Sequence, residues 1–181
     1  MTDRNVIKPW IMAAEELIVR YDAGERNFAG VELISDQQPY IDLVELDLRG
    51  INLRGATLRK ADFTRANLTG DDLTGAFLNC AKFDNAIVRD ASLFAATINE
   101  VRFWESDLKG TCLSYVNASN AVFCKAKLDG GFEYCILDCA NFRDAIISPK
   151  MICRGGNLIW ETIMPDGSIV HGPQYGDGDG R

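Results

Sequence analysis

The chain has 181 residues and a formal net charge of −7, with 26 acidic against 19 basic side chains. A single domain is the expectation for this length, and the negative charge disfavours direct binding to nucleic acid. No apolar run approaches the roughly twenty residues of a membrane span. Asp3, Arg4 and Asn5 stand where a secretory signal would need an apolar stretch. We therefore expect a cytoplasmic protein with no membrane partner.

The first predicted element is an amphipathic helix over residues Pro9 to Ala23. Apolar residues recur there at helical spacing, at Trp10, Ala14, Leu17 and Tyr21. Proline suits the first turn of a helix, and Gly24 stands just past the expected end. We interpret residues 1–27 as a leader with an N-terminal capping α-helix.

A five-residue pattern then runs through residues 28–148, interrupted by a polar, proline-containing loop near residues 35–40. A large apolar residue recurs at Leu48, Leu53, Leu58, Phe63, Leu68, Leu73 and Leu78. A small residue stands two places before most such positions, as at Ala56, Ala61, Ala66, Ala76, Ala81, Ala86, Ala91 and Ala96. Helices need apolar spacings of three and four, and half-buried strands need alternation. A sustained period of five indicates a solenoid instead.

Four steps of five make one square turn, so residues twenty positions apart are expected to stack in columns. One column is a structural ladder of phenylalanines, at Phe63, Phe83, Phe103, Phe123 and Phe142. The others are Leu48, Leu68, Val88, Leu108 and Leu128; Leu53, Leu73, Leu93, Leu113 and Phe132; and Leu58, Leu78, Ile98, Ala118 and Leu137. In each five, the large and the small residue point inward and interdigitate, and the other three face water.

Three segments carry a family resemblance most clearly. They are Ala61-Asp62-Phe63-Thr64-Arg65, Ala66-Asn67-Leu68-Thr69-Gly70 and Ala140-Asn141-Phe142-Arg143-Asp144. These units resemble the A(D/N)Lxx repeat of the bacterial pentapeptide-repeat protein family, and the resemblance covers roughly residues 28–147. It implies an all-β solenoid, a right-handed quadrilateral β-helix with four sides. The period alone predicts the square turn but not its hand.

Two departures from the pattern stand out. The step from Leu128 to Phe132 is one residue short, which predicts a pinched side and a shifted register. Asp71 places a carboxylate at an inward position. Either Asp71 accepts backbone N–H bonds at a corner, with Asp72 or Arg54 nearby, or it is a perturbed acid of the kind found at functional sites.

The pattern stops at Ser148-Pro149, and residues 149–172 are interpreted as a C-terminal cap. A strand over Leu158–Met164, a turn at Pro165-Asp166-Gly167 and a returning strand over Ser168–Val170 predict a β-hairpin-like structure. Residues 173–181 are rich in glycine and aspartate, and we expect a disordered tail there.

Nothing in the chain suggests catalysis, a cofactor or a metal. Phosphate-binding and dinucleotide-binding glycine motifs are missing, and so is a nucleophile elbow. The cysteines show no CxxC spacing, and His171 is the only histidine; the cysteines are Cys80, Cys112, Cys124, Cys135, Cys139 and Cys153. Tetrahedral zinc would need convergent ligands that this spacing does not provide. We expect a protein that is not an enzyme.

Large side chains at outward positions form the candidate interaction surface: Phe94, Trp104, Tyr115 and Tyr134. Tyr115 and Tyr134 fall in one column once the missing residue is counted. Aromatic residues on a polar surface are candidate partner anchors, although scattered apolar side chains on a surface are also ordinary. A homodimer through this wall is an equal alternative to a different protein partner.

The sequence therefore favours a non-catalytic protein-interaction or scaffold module with an unidentified partner. The family resemblance supplies an alternative, because some members imitate the shape and charge of duplex DNA and bind gyrase or another topoisomerase. A basic collar in the first regular coil argues against that role here: Arg49, Arg54, Arg59, Lys60 and Arg65.

Overall fold

The computed structural model describes residues 10–35 and 40–175, so most of the loop predicted near residues 35–40 lies outside the described residues. Parallel bridges join positions twenty residues apart, as in Asn67↔Ile87 and Ile87↔Asp107. One such bridge falls in every five residues. The chain is therefore a β-solenoid with four five-residue segments in each coil.

Backbone hydrogen bonds tie each coil to the next. The N–H of Leu68 donates to the carbonyl of Ile87 at 2.7 Å, and the N–H of Ile87 donates to the carbonyl of Ala66 at 2.9 Å. Within one coil, the N–H of Ala66 donates to the carbonyl of Phe63 at 2.9 Å and closes a turn. Because each segment is bonded on both sides, its backbone groups are satisfied without a helix or a long strand.

The predicted interior is present. All four columns named above are buried, and so are the alanines that precede them. The rings of Phe63, Phe83, Phe103, Phe123 and Phe142 stack in sequence, with centroids 4.7, 4.9, 5.2 and 4.8 Å apart. These distances are those of favourable stacked aromatic pairs.

The N-terminal segment differs from the prediction of one helix over residues Pro9 to Ala23. Strand β1 covers Trp10–Ala13, and helix α1 covers only Ala14–Asp22. Strand β1 pairs in parallel with β2, Val31–Ile34, in the first coil. The helical spacing of Trp10 and Ala14 misled the prediction, because pairing with β2 satisfies the backbone of residues 10–13 in an extended conformation.

The missing residue after Leu128 has the predicted effect on register. Bridges shift from twenty positions to nineteen, as in Asn117↔Ile136 and Val122↔Asn141. Phe132 remains buried and packs edge-on against Phe123 and Phe142, at 5.5 and 5.4 Å. The core therefore stays filled although one side is shorter.

The C-terminal region continues the solenoid beyond residue 148, where the prediction ended it. After helix α2, Pro149–Ile152, parallel bridges Ile136↔Leu158 and Asn141↔Ile163 add two more segments to the stack. These segments contain strand β3, Leu158–Ile159, and strand β4, Thr162–Ile163. The predicted single strand over Leu158–Met164 is therefore broken in two, because its residues follow the coil.

Two antiparallel pairings complete this end. Strand β5, Ile169–Val170, returns onto β4 after the predicted turn. Strand β6, Gln174–Tyr175, pairs with β3. This pairing contradicts the expectation of a disordered tail from residue 173, and residues 176–181 lie outside the described part of the chain. No helix among the described residues has the length and apolar character needed to cross a membrane.

Candidate interaction surface

The corners of the solenoid decide which side chains point away from it. The last residue of most five-residue segments adopts a left-handed conformation, with φ between 54° and 60° at Tyr134, Tyr115 and Lys60. Glycine occupies this corner at Gly55 and Gly75 in the column that contains Tyr115. Large residues occupy this corner elsewhere in the solenoid as well, for example Arg65 and Lys125, so the fold accepts a tyrosine there.

Phe94, Tyr115 and Tyr134 form one continuous feature, which we call the aromatic strip. The centroids of Phe94 and Tyr115 are 5.4 Å apart, and those of Tyr115 and Tyr134 are 5.0 Å apart. The three residues are 41, 53 and 60% exposed. Tyr134 also covers the backbone of Gly156, where an added Cβ would meet its ring at 2.9 Å.

Trp104, the fourth residue of the predicted surface, lies apart from the strip. It follows Phe103 directly and belongs to the wall that bears the phenylalanine ladder. Lys125 places its ammonium 5.6 Å from the centroid of the Trp104 ring. The five-residue register was sufficient to predict this separation. Trp104 belongs to the segment of Phe103, whereas Tyr115 and Tyr134 are the last residues of segments on another wall.

Ion pairs between coils neutralise many charges on the other walls. Lys82 contacts Asp62 at 3.1 Å, and Lys125 contacts Glu105 at 3.0 Å. Arg89 contacts Asp107 at 2.6 Å. Burial alone would raise the pKa of Asp107, but the hydrogen bonds from Arg89 and the backbone of Lys109, with the charges of Arg89 and Lys127, together lower that pKa. These walls therefore carry ion pairs between coils, together with carboxylates outside any ion pair among the described residues, such as Asp90 and Asp129.

Asp71 is the most deeply buried acid among the described residues. It is 1% exposed, and its Oδ1 accepts the N–H of Ile51 at 3.2 Å, which confirms the predicted backbone contact. Its Oδ2 has no hydrogen-bond partner among the described residues. Burial raises the pKa of Asp71 to about 8, against the opposing backbone bonds of Gly50 and Ile51. Arg54 contacts Asp72 rather than Asp71, at 4.0 Å.

The thiols and the histidine do not converge on a reactive centre. Cys135 is buried, and burial raises its pKa to about 11, so its thiolate is suppressed. Cys139 is exposed. His171 contacts Glu161, with Nδ1 2.9 Å from Oε2. Within residues 10–35 and 40–175, no group of three or more His, Cys, Asp or Glu side chains is placed to hold a metal ion.

The coil geometry and the repeat units define a class of protein. Residues 41–70 and 52–90 match the family model for pentapeptide repeats, with eight copies of the unit. Residues 41–90 of the chain therefore consist of pentapeptide repeats.

Solved structures of pentapeptide-repeat proteins are similar to this chain. Rfr23 from the cyanobacterium Cyanothece 51142 is 20% identical, with a TM-score of 0.47 over 62% of this chain and 63% of that protein. The present chain therefore spans less than two thirds of the length of Rfr23.

HetL, involved in heterocyst differentiation regulation in Nostoc sp. strain PCC 7120, is 20% identical, with a TM-score of 0.45 over 88% of this chain and 100% of that one. A trypsin-treated form of QnrB1, a plasmid-mediated fluoroquinolone resistance protein, is 14% identical, with a TM-score of 0.28 over 63% of this chain and 68% of its own. No curated protein matches the sequence. At such identities and scores, none of these likenesses carries information about partner or activity.

Proposed function

We propose that this chain is a non-catalytic protein-interaction module that contacts its partner through the aromatic strip. The supporting observation is the strip itself, three exposed rings in mutual contact on an otherwise polar wall. Interface hot spots are enriched in tyrosine and cluster in this way. Scattered apolar side chains would need no explanation, but rings stacked across successive coils form a connected surface.

The corner itself does not require a large side chain. The same column contains glycine at Gly55 and Gly75 and alanine at Ala95. The side chains of Tyr115 and Tyr134 are therefore not needed to form the turn, which leaves them available for contact with a partner.

The scaffold in this proposal is a right-handed, four-sided β-helix with covered ends. At one end, β1 and α1 lie on the first coil, and the buried Leu17 packs into the core. At the other, the β4–β5 pair covers the last segments. Terminal units that cover the open backbone keep solenoids soluble and prevent edge-to-edge association.

An affinity pull-down from a lysate of the source cells tests the proposed surface. The wild type is compared with a variant carrying Tyr115→Asn and Tyr134→Asn. Asparagine already occupies the equivalent corners at Asn85 and Asn120 with φ of 58°, so this change preserves the backbone. We expect a partner that binds the wild type and is lost from the variant.

Trp104→Ala is the matched control, because it removes an exposed aromatic side chain from a different wall. This variant should retain the partner. Circular dichroism should be the same for all three proteins. Identical eluates from the wild type and the double asparagine variant would contradict the proposal that the strip is the contact surface.

A further inference from the structure

Between residues 91 and 139, the two walls that meet at the aromatic strip lack basic side chains. We call residues 91–100, 111–120 and 131–139 the cation-free face, because these three segments contain no Lys or Arg. The intervening segments 81–90, 101–110 and 121–130 contain two basic residues each. The difference is therefore one of position around the coil and not of composition along the chain.

Three carboxylates lie on the cation-free face, at Glu100, Glu133 and Asp138. Glu100 and Glu133 are exposed, and Asp138 is half-buried. None of the three forms an ion pair with the described residues. This pattern contrasts with the compensated carboxylates Asp62, Glu105 and Asp107 on the other walls.

In an earlier coil, an acid and an aromatic ring on these same walls are each contacted by an arginine of the chain. One coil before the face, the same two walls carry Asp72 and Phe77. Arg54 lies 4.0 Å from Asp72, and the guanidinium of Arg59 lies 5.6 Å from the centroid of the Phe77 ring. Both arginines come from the preceding coil. Two of the three segments of the face again combine an acid with an aromatic ring, Glu100 with Phe94 and Glu133 with Tyr134, and neither segment contains an arginine.

We propose that the cation-free face binds an extended, arginine-bearing segment of a partner protein, an inference that rests on the proposed function. Guanidinium groups hydrogen-bond to carboxylates and pack on aromatic side chains. Tyr115 and Tyr134 are exposed, and a tyrosine hydroxyl can accept a hydrogen bond from arginine. The apolar stem of an arginine side chain covers ring edges.

The dimensions of the strip fit this occupant. The two ring-to-ring distances are 5.4 and 5.0 Å. Three rings at this spacing span about 10 Å, enough for two side chains on one side of an extended segment, which lie about 6.8 Å apart. An extended segment also exposes backbone groups that polar side chains of the face, such as Asn117, can hydrogen-bond.

The acidic charge of the face favours a basic protein segment over a second copy of the chain or a nucleic acid. A second copy of the chain across a two-fold axis would pair this face, whose only charges are acidic, with itself, and like charges brought together across an interface are costly. A nucleic acid would bring phosphates against Glu100 and Glu133. A basic protein segment alone complements both the carboxylates and the rings.

The probe for this proposal is the peptide acetyl-Arg-Ser-Arg-Ser-Arg-Ser-amide, titrated into the full chain and followed by backbone amide NMR. We expect shifts concentrated on the cation-free face, around Tyr115, Tyr134 and Ile136, and weaker binding as the salt concentration rises. The Tyr115→Asn, Tyr134→Asn variant should bind about tenfold more weakly, as expected when hot-spot residues are removed. Trp104→Ala should bind like the wild type.

A matched peptide with glutamate in place of arginine should cause no shifts. The proposal is overturned by no shifts on the face at millimolar arginine peptide, by equal binding of the glutamate peptide, or by unchanged affinity of the double asparagine variant. Dimerisation of the free chain through Tyr115 and Tyr134, seen by sedimentation, would also overturn it. If the pull-down partner depends on the strip but cross-links through a segment without Arg or Lys, the interaction surface stands and the basic partner is wrong.

Discussion

Asp71 shows how much a single inward position depends on its side chain. The residues one coil before and after it at the same position are Ile51 and Ala91, both buried and apolar. A carboxylate there loses its hydration, and only Oδ1 gains a hydrogen bond from the protein. Desolvation disfavours the charged form, which is why the pKa of Asp71 rises to about 8. At neutral pH the group is mainly a neutral acid.

This shift predicts a stability that depends on pH in an unusual direction. The unfolded chain releases the Asp71 proton near its ordinary pKa of 3.8, whereas the folded chain keeps it up to about 8. Between these values the folded state binds more protons, so the free energy of unfolding falls as pH rises, by at most about 1.4 kcal/mol per unit. Below pH 4 the contribution is fully present, and above 8 it is lost.

Urea unfolding at a series of pH values measures this dependence. Asp71→Asn keeps the shape and removes the proton, so the difference in stability between variant and wild type should grow in favour of the variant from pH 4 to pH 8. The charge of Asp47 raises the pKa of Asp71, and Asp71 raises that of Tyr21; Asp47 and Tyr21 remain in both proteins. Parallel curves for the two proteins would show that Asp71 is already ionised.

At the scale of the coil, the stacked phenylalanine rings of the ladder fill the interior behind one wall of the solenoid. Phe103 lies between Phe83 and Phe123, with centroids 4.9 and 5.2 Å away, and is fully buried. Phe103→Ala should lower the free energy of unfolding by roughly 3–5 kcal/mol, because it removes buried surface and leaves a cavity between two rings. Chemical denaturation with the slope held in common measures the loss.

The adjacent Trp104 provides the control for this prediction. It occupies the next position in the chain but is exposed, and the ammonium of Lys125 lies over its ring. Trp104→Ala should cost less than about 1 kcal/mol, in line with an exposed cation–π contact. Similar losses from both variants would mean that the inward and outward positions have been assigned wrongly.

The ladder was predictable from the sequence because every repeat has the same packing requirement. Each turn needs one large and one small inward residue, so the pattern that places Phe103 also places Phe83 and Phe123. The missing residue after Leu128 was predictable for the same reason, since every later position is displaced by one. The repeat register was also sufficient to separate Trp104 from Tyr115, although the list of exposed aromatic residues alone was not.

The ends of the solenoid were harder to predict because each is built only once. Residues 10–13 have helical spacing, and only their partner strand, Val31–Ile34, makes them extended. Residues 157–163 re-enter the stack after a short helix, and the buried Asn157 fixes the connection. Its Nδ2 donates to the carbonyls of Phe132 and Ile152 at 2.9 Å, and its Oδ1 accepts the N–H of Cys135 at 2.9 Å. A contact of this kind has no periodic signal.

For the whole molecule, the arrangement of charge decides between a protein partner and imitation of DNA. A DNA-like surface needs repeated carboxylates without cations between them, since duplex DNA carries a charge about every 1.7 Å along its axis. Here acidic and basic side chains of consecutive coils form ion pairs instead: Asp62 with Lys82, Asp84 with Arg102 and Glu105 with Lys125. The uncompensated carboxylates on the cation-free face are few and are interleaved with aromatic rings.

We therefore expect the chain to leave DNA supercoiling by gyrase unchanged at micromolar excess. The Lys82→Gln, Arg102→Gln variant removes the cations beside Asp62 and Asp84 and raises the net negative charge by two, which tests whether compensation is what separates this wall from DNA. Inhibition by the variant alone would identify the ion pairs as the barrier to mimicry. Inhibition by the wild type would instead show that the chain acts on gyrase, and it would contradict our assignment of the walls because ion-paired walls should not compete with DNA.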